Sequence, residues 1–178
     1  MTGIQILDEL LPGVYLLDLP HFPDNRGSFT KVYHHDAFQS LNLSFEPRET
    51  FLTKSCAGVL RGMHFQIDEA AHDKLVICLR GRVLDVVVDI RKSSPNFNKP
   101  VSIELDESKN TALLVGKGYA HGFLCLEDES WMLYNTSTIH NPELDRGVLW
   151  SSLNYNWPID SPRLSLRDSK HPLITDLL

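Results

Sequence analysis

Short runs rich in Val, Ile, Leu, Phe and Tyr recur along the chain, and Gly, Pro, Asn, Asp and Ser interrupt them about every 8 to 15 positions. This rhythm predicts an all-β fold, because a strand needs only a handful of residues and a turn needs residues that tolerate unusual backbone angles. Strands are predicted at Gly13–Leu17, Gly27–His34, Glu49–Ser55, Val59–Gln66, Lys74–Leu79, Val83–Ile90, Val101–Leu105, Ala112–Val115, His121–Leu126, Trp131–Thr136 and Gly147–Trp150. Helix is scarce: a turn or two at Asp36–Leu41 and a capped turn at Asp106–Asn110. So many strands in 178 residues favour a jelly roll or barrel, since closure hides strand edges. The segment from Trp157 to Leu178, broken by Pro158, Pro162 and Pro172, is expected to wrap over that barrel.

Two tight connections assign faces. A two-residue hairpin turn at Arg80-Gly81 sets Leu79 opposite Arg82, Val76 opposite Asp85 and Lys74 opposite Val87, so that Lys74, Val76, Asp85 and Val87 share a face. A hairpin loop at Glu127–Ser130 sets Leu126 opposite Trp131, Phe123 opposite Tyr134 and His121 opposite Thr136, with His121, Phe123 and Tyr134 on one face. Strict alternation would place Arg61 and His64 on opposite faces; both reach one site only if Gly62 marks a bulge or twist.

Composition narrows the class. The length fits one domain over residues 1–178, and 42% apolar with 22% charged residues is ordinary for a folded soluble protein. No apolar run is long enough to cross a bilayer, and the first residues lack the basic start and apolar stretch of a secretory signal, so the cytoplasm is the expected location. Cys56, Cys78 and Cys125 are odd in number and far apart, which reads as mostly buried thiols in a reducing compartment. A formal charge of −6 argues against a nucleic-acid surface, although a few arginines can still hold a small anion.

Polar groups directed into a barrel are costly unless they pair or work, so Lys74, Asp85, His121 and Tyr134 mark a candidate site. The run Gly58 to Gln66 (Gly-Val-Leu-Arg-Gly-Met-His-Phe-Gln) adds His64, which can exchange a proton near neutral pH, and Arg61, which can hold an anion or serve a structural ion pair. Metal-binding barrels usually offer His-x-His; here His64 is followed by Phe65 and Gln66, and no metal is expected.

Taken together, Phe22–Phe29, Gly58–Gln66, Lys74-Leu75-Val76, Gly81–Arg91 with Ser94-Pro95, Gly118–Phe123, Tyr134, Gly147–Trp150, Trp157-Pro158 and Leu164–Asp168 resemble the nucleotide-sugar 3,5-epimerases, typified by dTDP-4-dehydrorhamnose 3,5-epimerase. The stretch Gly116–His121 also looks like the second sequence motif of cupin barrels, with Gly116 in place of the usual proline. The resemblance implies a cupin-type jelly roll with short flanking helices, a homodimer, no cofactor, and inversion at C3, C5 or both in a dTDP-linked 4-keto-6-deoxyhexose. It implies His64 as the base with Asp168 behind it, Tyr134 as the proton donor, and Lys74 with His121 at the enolate oxygen. It implies substrate contacts from Arg26, Phe29, Thr53, Ser55, Arg61, Gln66, His140 and Arg167, with Phe22 or Phe29 acting across the dimer.

The chain departs from the best-known members at Lys31, Glu49-Thr50-Phe51 and Ile139-His140, which are expected on the substrate-holding side. Those changes leave open a CDP or GDP carrier and inversion at one carbon. Three further readings fit parts of the pattern: a sugar 3,4-ketoisomerase, a metal cupin using His64 and His121 with Gln66 or Asp85, and a binding module without turnover.

Overall fold

The computed structural model describes residues 3–177. The chain forms β1 (Gln5–Leu11), β2 (Val14–Asp18), β3 (His21–Asp24), β4 (Gly27–Thr30), α1 (His35–Ser40), β5 (Glu49–Ser55), β6 (Leu60–Gln66), β7 (Lys74–Arg80), β8 (Arg82–Asp89), β9 (Pro100–Asp106), β10 (Thr111–Val115), β11 (Tyr119–Cys125), β12 (Ser130–Thr136) and β13 (Asp145–Gly147). Two sheets face each other, one ordered β1-β2-β10-β7-β12-β5 and the other β13-β6-β11-β8-β9, while β3 and β4 form a separate two-stranded ribbon. Every pairing within these sheets is antiparallel, as a jelly roll requires.

Val14, Val76, Cys78, Val87, Leu113, Phe123, Met132 and Tyr134 meet between the sheets. The first sheet's outer face carries Leu17, Leu75, Ile77, Ala112 and Leu114, and Phe38 of α1 with Phe45 of the following loop covers it. The second sheet's outer face carries Met63, Phe65, Val86, Val88 and Ala120, covered by Leu153 and Ile174 with Trp157 and Leu177 at the margin. The C-terminal segment therefore does wrap over the sandwich. The central strands of both sheets are buried on both faces, which is why β7 and β8 read as nearly continuous apolar runs and not as an alternation.

Neither expected hairpin forms. β7 and β8 lie in different sheets, and so do β11 and β12. Gly81, at φ +72°, and Glu129, at φ +55°, sit in connections that carry the chain from one sheet to the other. The inferred faces nevertheless hold, since the inner surfaces of both sheets bound the same interior. Other differences are local. The edge strand β1 and the Pro-containing β3 lie outside the predicted strands, Asp106–Asn110 makes a turn with no helix, and the predicted strand at Gly147–Trp150 is the end of β13 followed by a 3-10 turn.

Candidate active site

The site begins with an irregularity in β6. His64 pairs with His121 of β11, but Arg61 pairs with Phe123, so three residues of β6 span two of β11. The extra residue is a bulge at Gly62, whose φ of +135° suits glycine, and a Cβ there would sit 2.6 Å from Gly122 Cα. The bulge shifts the side-chain phase, so Arg61 and His64 both line the cavity while Met63 turns outward to the second apolar layer.

That cavity, ≈ 350 Å³, opens between the inner faces of the two sheets. From the second sheet come Arg61, His64, Gln66 and His121; from the first come Glu49, Phe51, Thr53, Lys74, Tyr134 and Thr136; His72, His140, Asp145 and Arg167 close one end.

His64 Nε2 meets Asp168 Oδ1 at 2.6 Å. Asp168 is buried at the start of the 3-10 turn Asp168–Lys170, and its backbone N–H donates to Ser165 Oγ at 3.0 Å. Burial is the largest single influence and would push its pKa up, but the hydrogen bond and charge of His64, the Ser165 contact and His171 together outweigh it and hold the carboxyl below its usual value. An ionised carboxylate only accepts, so His64 carries its hydrogen on Nε2 and, when neutral, keeps its lone pair on Nδ1. Such a ring is poised to take a proton. His171 packs edge-on against His64, with centroids 5.5 Å apart, and approaches the same carboxylate oxygen at 3.4 Å.

His121 and Asp85 form a second buried pair, with His121 Nε2 3.0 and 2.9 Å from the two carboxylate oxygens. Lys74 is buried, and its Nζ donates to the backbone carbonyl of His64 at 3.0 Å. Burial lowers its ammonium to about 8, against the opposing pull of Asp145 and Asp85. Tyr134 stacks on Phe51 with centroids 4.7 Å apart, and burial pushes its phenol well above the ordinary value. It is therefore a donor at physiological pH.

Arg61 Nε donates to Ser55 Oγ at 2.9 Å and its Nη2 to Lys54 O at 3.3 Å, which fixes the guanidinium at the cavity wall. Ser55 itself does not line the cavity; it positions Arg61. At the other end Arg167 Nη2 pairs with Asp145 Oδ2 at 2.6 Å, and the backbone N–H of His140 donates to Glu49 Oε2 at 2.8 Å. Gln66 lines the cavity, but Asn141, Ala70 and His72 occupy its amide.

Arg26 and Phe29 do not reach this cavity. Both lie on the β3–β4 ribbon, where Arg26 pairs with Asp24 at 2.6 Å and Phe29, 60% exposed, stacks on Phe22. Phe22, Phe29 and Lys31 border a second hollow of ≈ 580 Å³. Of the unusual positions, Glu49, Phe51 and His140 line the first cavity, whereas the Thr50 hydroxyl donates to Asn135 Oδ1 at 2.8 Å. His72 and Asp145 were not expected at the site; His72 stands two residues before Lys74, the spacing that keeps side chains on one face.

Among the described residues, His64, Asp168 and His171 have the spacing of metal ligands, their ligating atoms lying within 4.8 Å of one another. His64 Nε2 and Asp168 Oδ1, however, stand 2.6 Å apart, the separation of hydrogen-bond partners and closer than two ligands of one ion. The other conceivable set, His64, His121 and Gln66 or Asp85, does not assemble, because each imidazole turns Nε2 to its own carboxylate and Gln66 Oε1 accepts from Asn141 at 2.7 Å.

The family model for dTDP-4-dehydrorhamnose 3,5-epimerase matches residues 8–176. The chain belongs to the dTDP-4-dehydrorhamnose 3,5-epimerase family. The enzyme of that name from Shigella flexneri is 38% identical over 168 residues, covering 93% of this chain and 93% of its own. The Bacillus anthracis enzyme, crystallised with TDP and PPi bound, superposes with a TM-score of 0.91 at 34% identity, over 96% of this chain and 99% of the other. A Legionella pneumophila dTDP-6-deoxy-D-glucose-3,5-epimerase, in complex with dTDP-4-keto-L-rhamnose, gives 0.90 at 28% identity over 97% and 94%. As in other members of the family, the architecture is a cupin-type jelly roll. Among the described residues no helix is long and apolar enough to cross a membrane.

Proposed function

We propose that this protein inverts C3 and C5 of a dTDP-linked 4-keto-6-deoxyhexose, a step of deoxysugar and rhamnose synthesis, as a cytoplasmic homodimer. The observation that carries this reading is the placement of a His-Asp base and a tyrosine that carries its phenolic hydrogen at neutral pH on opposite sheets of one cavity. A hydrogen beside a ketone is acidic because its removal leaves an enolate. His64 Nδ1 takes that hydrogen while the C–H electron pair moves into the ring and the charge collects on the C4 oxygen. Lys74 and His121 stabilise that oxygen. Tyr134 then donates its phenolic hydrogen to the opposite face of the carbon, and solvent restores both groups. Asp168 orients the imidazole and supports its charged form.

Arg61 and Thr53 hold the substrate, with Arg61 facing the diphosphate, while Arg167 and His140 border the far end. Arg26 and Phe29 act on the nucleotide of a second copy, which accounts for aromatic side chains exposed on a ribbon outside the main sheets.

Incubation with dTDP-4-keto-6-deoxyglucose in deuterated water should place deuterium at C3 and C5, read by NMR. Exchange at neither carbon would sink the assignment, and exchange at one would make the protein a mono-epimerase. Assays with CDP- and GDP-linked 4-ketosugars would fix the carrier.

The rate should also fall as pH rises through about 8, because the Lys74 ammonium that stabilises the enolate is lost there. A Lys74→Met variant, already slow, should lack that alkaline limb; a limb unchanged in the variant would assign it to another group.

A further inference from the structure

His72 lies on the cavity wall with Lys74. Its protonation pattern follows from its neighbours. The backbone N–H of Asn141 donates to one terminal atom of the Gln66 amide at 2.7 Å, which identifies that atom as the oxygen. The other terminal atom is then the nitrogen. It donates to Ala70 O at 3.1 Å and lies 2.9 Å from His72 Nδ1. An amide nitrogen has no lone pair to offer, so Nδ1 must be the acceptor and carries no hydrogen. The Thr138 hydroxyl, 3.3 Å from Nδ1, spends its own hydrogen on Ala70 O at 2.7 Å. Burial, with Lys74, His121, His140 and Lys117 nearby, lowers the ring to about 3, so it stays neutral. A neutral ring without hydrogen on Nδ1 carries it on Nε2.

That Nε2–H is buried and has no acceptor among the described residues. An unpaired buried donor is expensive, and one on the wall of a substrate cavity has an evident use. We propose that His72 is a further catalytic residue, whose Nε2–H donates to the C4 oxygen of the sugar beside Lys74 and holds it more tightly as the enolate forms. This rests on the epimerase reading above. A neutral, tautomer-locked imidazole adds a fixed dipole at that oxygen without adding a second charge beside the ammonium.

Two measurements test it. Long-range nitrogen–proton correlation on histidine-labelled protein should find His72 neutral with hydrogen on Nε2 at neutral and mildly acid pH; hydrogen on Nδ1 would overturn the inference. In the solvent-exchange assay, His72→Leu should lower kcat roughly ten- to hundredfold with little change in KM, the size expected for loss of one enolate donor. His72→Gln should recover most of that loss, because its amide can accept from Gln66 and donate into the cavity. A leucine variant with the parent kcat, a rise in KM alone, or a glutamine variant as slow as leucine would each refute it. If the parent itself exchanges neither carbon, the epimerase reading fails first, and the C4-oxygen contact with it. A parent that exchanges normally while His72→Leu matches it refutes only the role of His72.

Discussion

Replacing His64 by alanine is expected to cut deuterium exchange at C3 and C5 by at least roughly 10²- to 10⁴-fold, the range for loss of a positioned general base. Its Nδ1 is the basic nitrogen of the dyad, and two other cavity imidazoles are engaged, His121 with Asp85 and His72 at Nδ1 with Gln66, while His140 has no such carboxylate behind it, its Nδ1 lying 3.9 Å from Asp145. Asp168→Asn should fall in the same range. The amide keeps the shape of the carboxylate but no longer compensates a charged ring, and it can turn the imidazole into the wrong tautomer. Tyr134→Phe separates the two halves of the reaction, permitting exchange on the His64 side while inversion stops. An inverting Tyr134→Phe enzyme would remove tyrosine from the mechanism, and a His64→Ala enzyme with near-parent exchange would remove the dyad.

Gly62→Ala is expected to lower stability by more than about 3 kcal/mol and to abolish turnover in whatever folded protein remains. The position combines φ of +135° with a Cβ direction blocked at 2.6 Å by the backbone of Gly122, so neither rotation nor a flexible neighbour relieves it. Without the bulge, β6 would resume strict alternation, and Arg61 and His64 would part to opposite faces. Urea unfolding and the exchange assay read the two consequences. An alanine variant with the parent midpoint would show that the bulge tolerates a side chain.

Much of this was legible in the sequence, for identifiable reasons. The runs at Glu49–Ser55, Lys74–Leu79 and Trp131–Thr136 read as strands because their side chains are rich in β-formers, and the structure extends the last two by one residue each, to Arg80 and from Ser130. The need for an irregularity at Gly62 followed from Arg61 and His64 being three residues apart. The hairpins were misread because a short turn says that two strands are neighbours without saying whether they share a sheet. β1 escaped because Gln5, Asp8 and Glu9 mix with leucines on an exposed edge, and β3 because it contains Pro23. Asp145 stands in a segment without periodicity, where only folding shows which residues converge, whereas His72 lies just before β7 and its spacing of two from Lys74 was the available signal. Arg26, Phe29 and Ser55 came from the resemblance, and within one chain only Ser55 touches the site, through Arg61.

Because His64 and Tyr134 hang from opposite sheets, the gap that a sugar ring must fill is the thickness of the sandwich itself. That thickness is set by Val76, Val87, Leu113, Phe123 and Met132, which are wedged between the layers. These apolar residues act as spacers, and trimming one lets the walls drift together while an oversized replacement wedges them apart. Reactivity in such a scaffold is tuned by the volume of its filling as much as by the identity of its acids and bases.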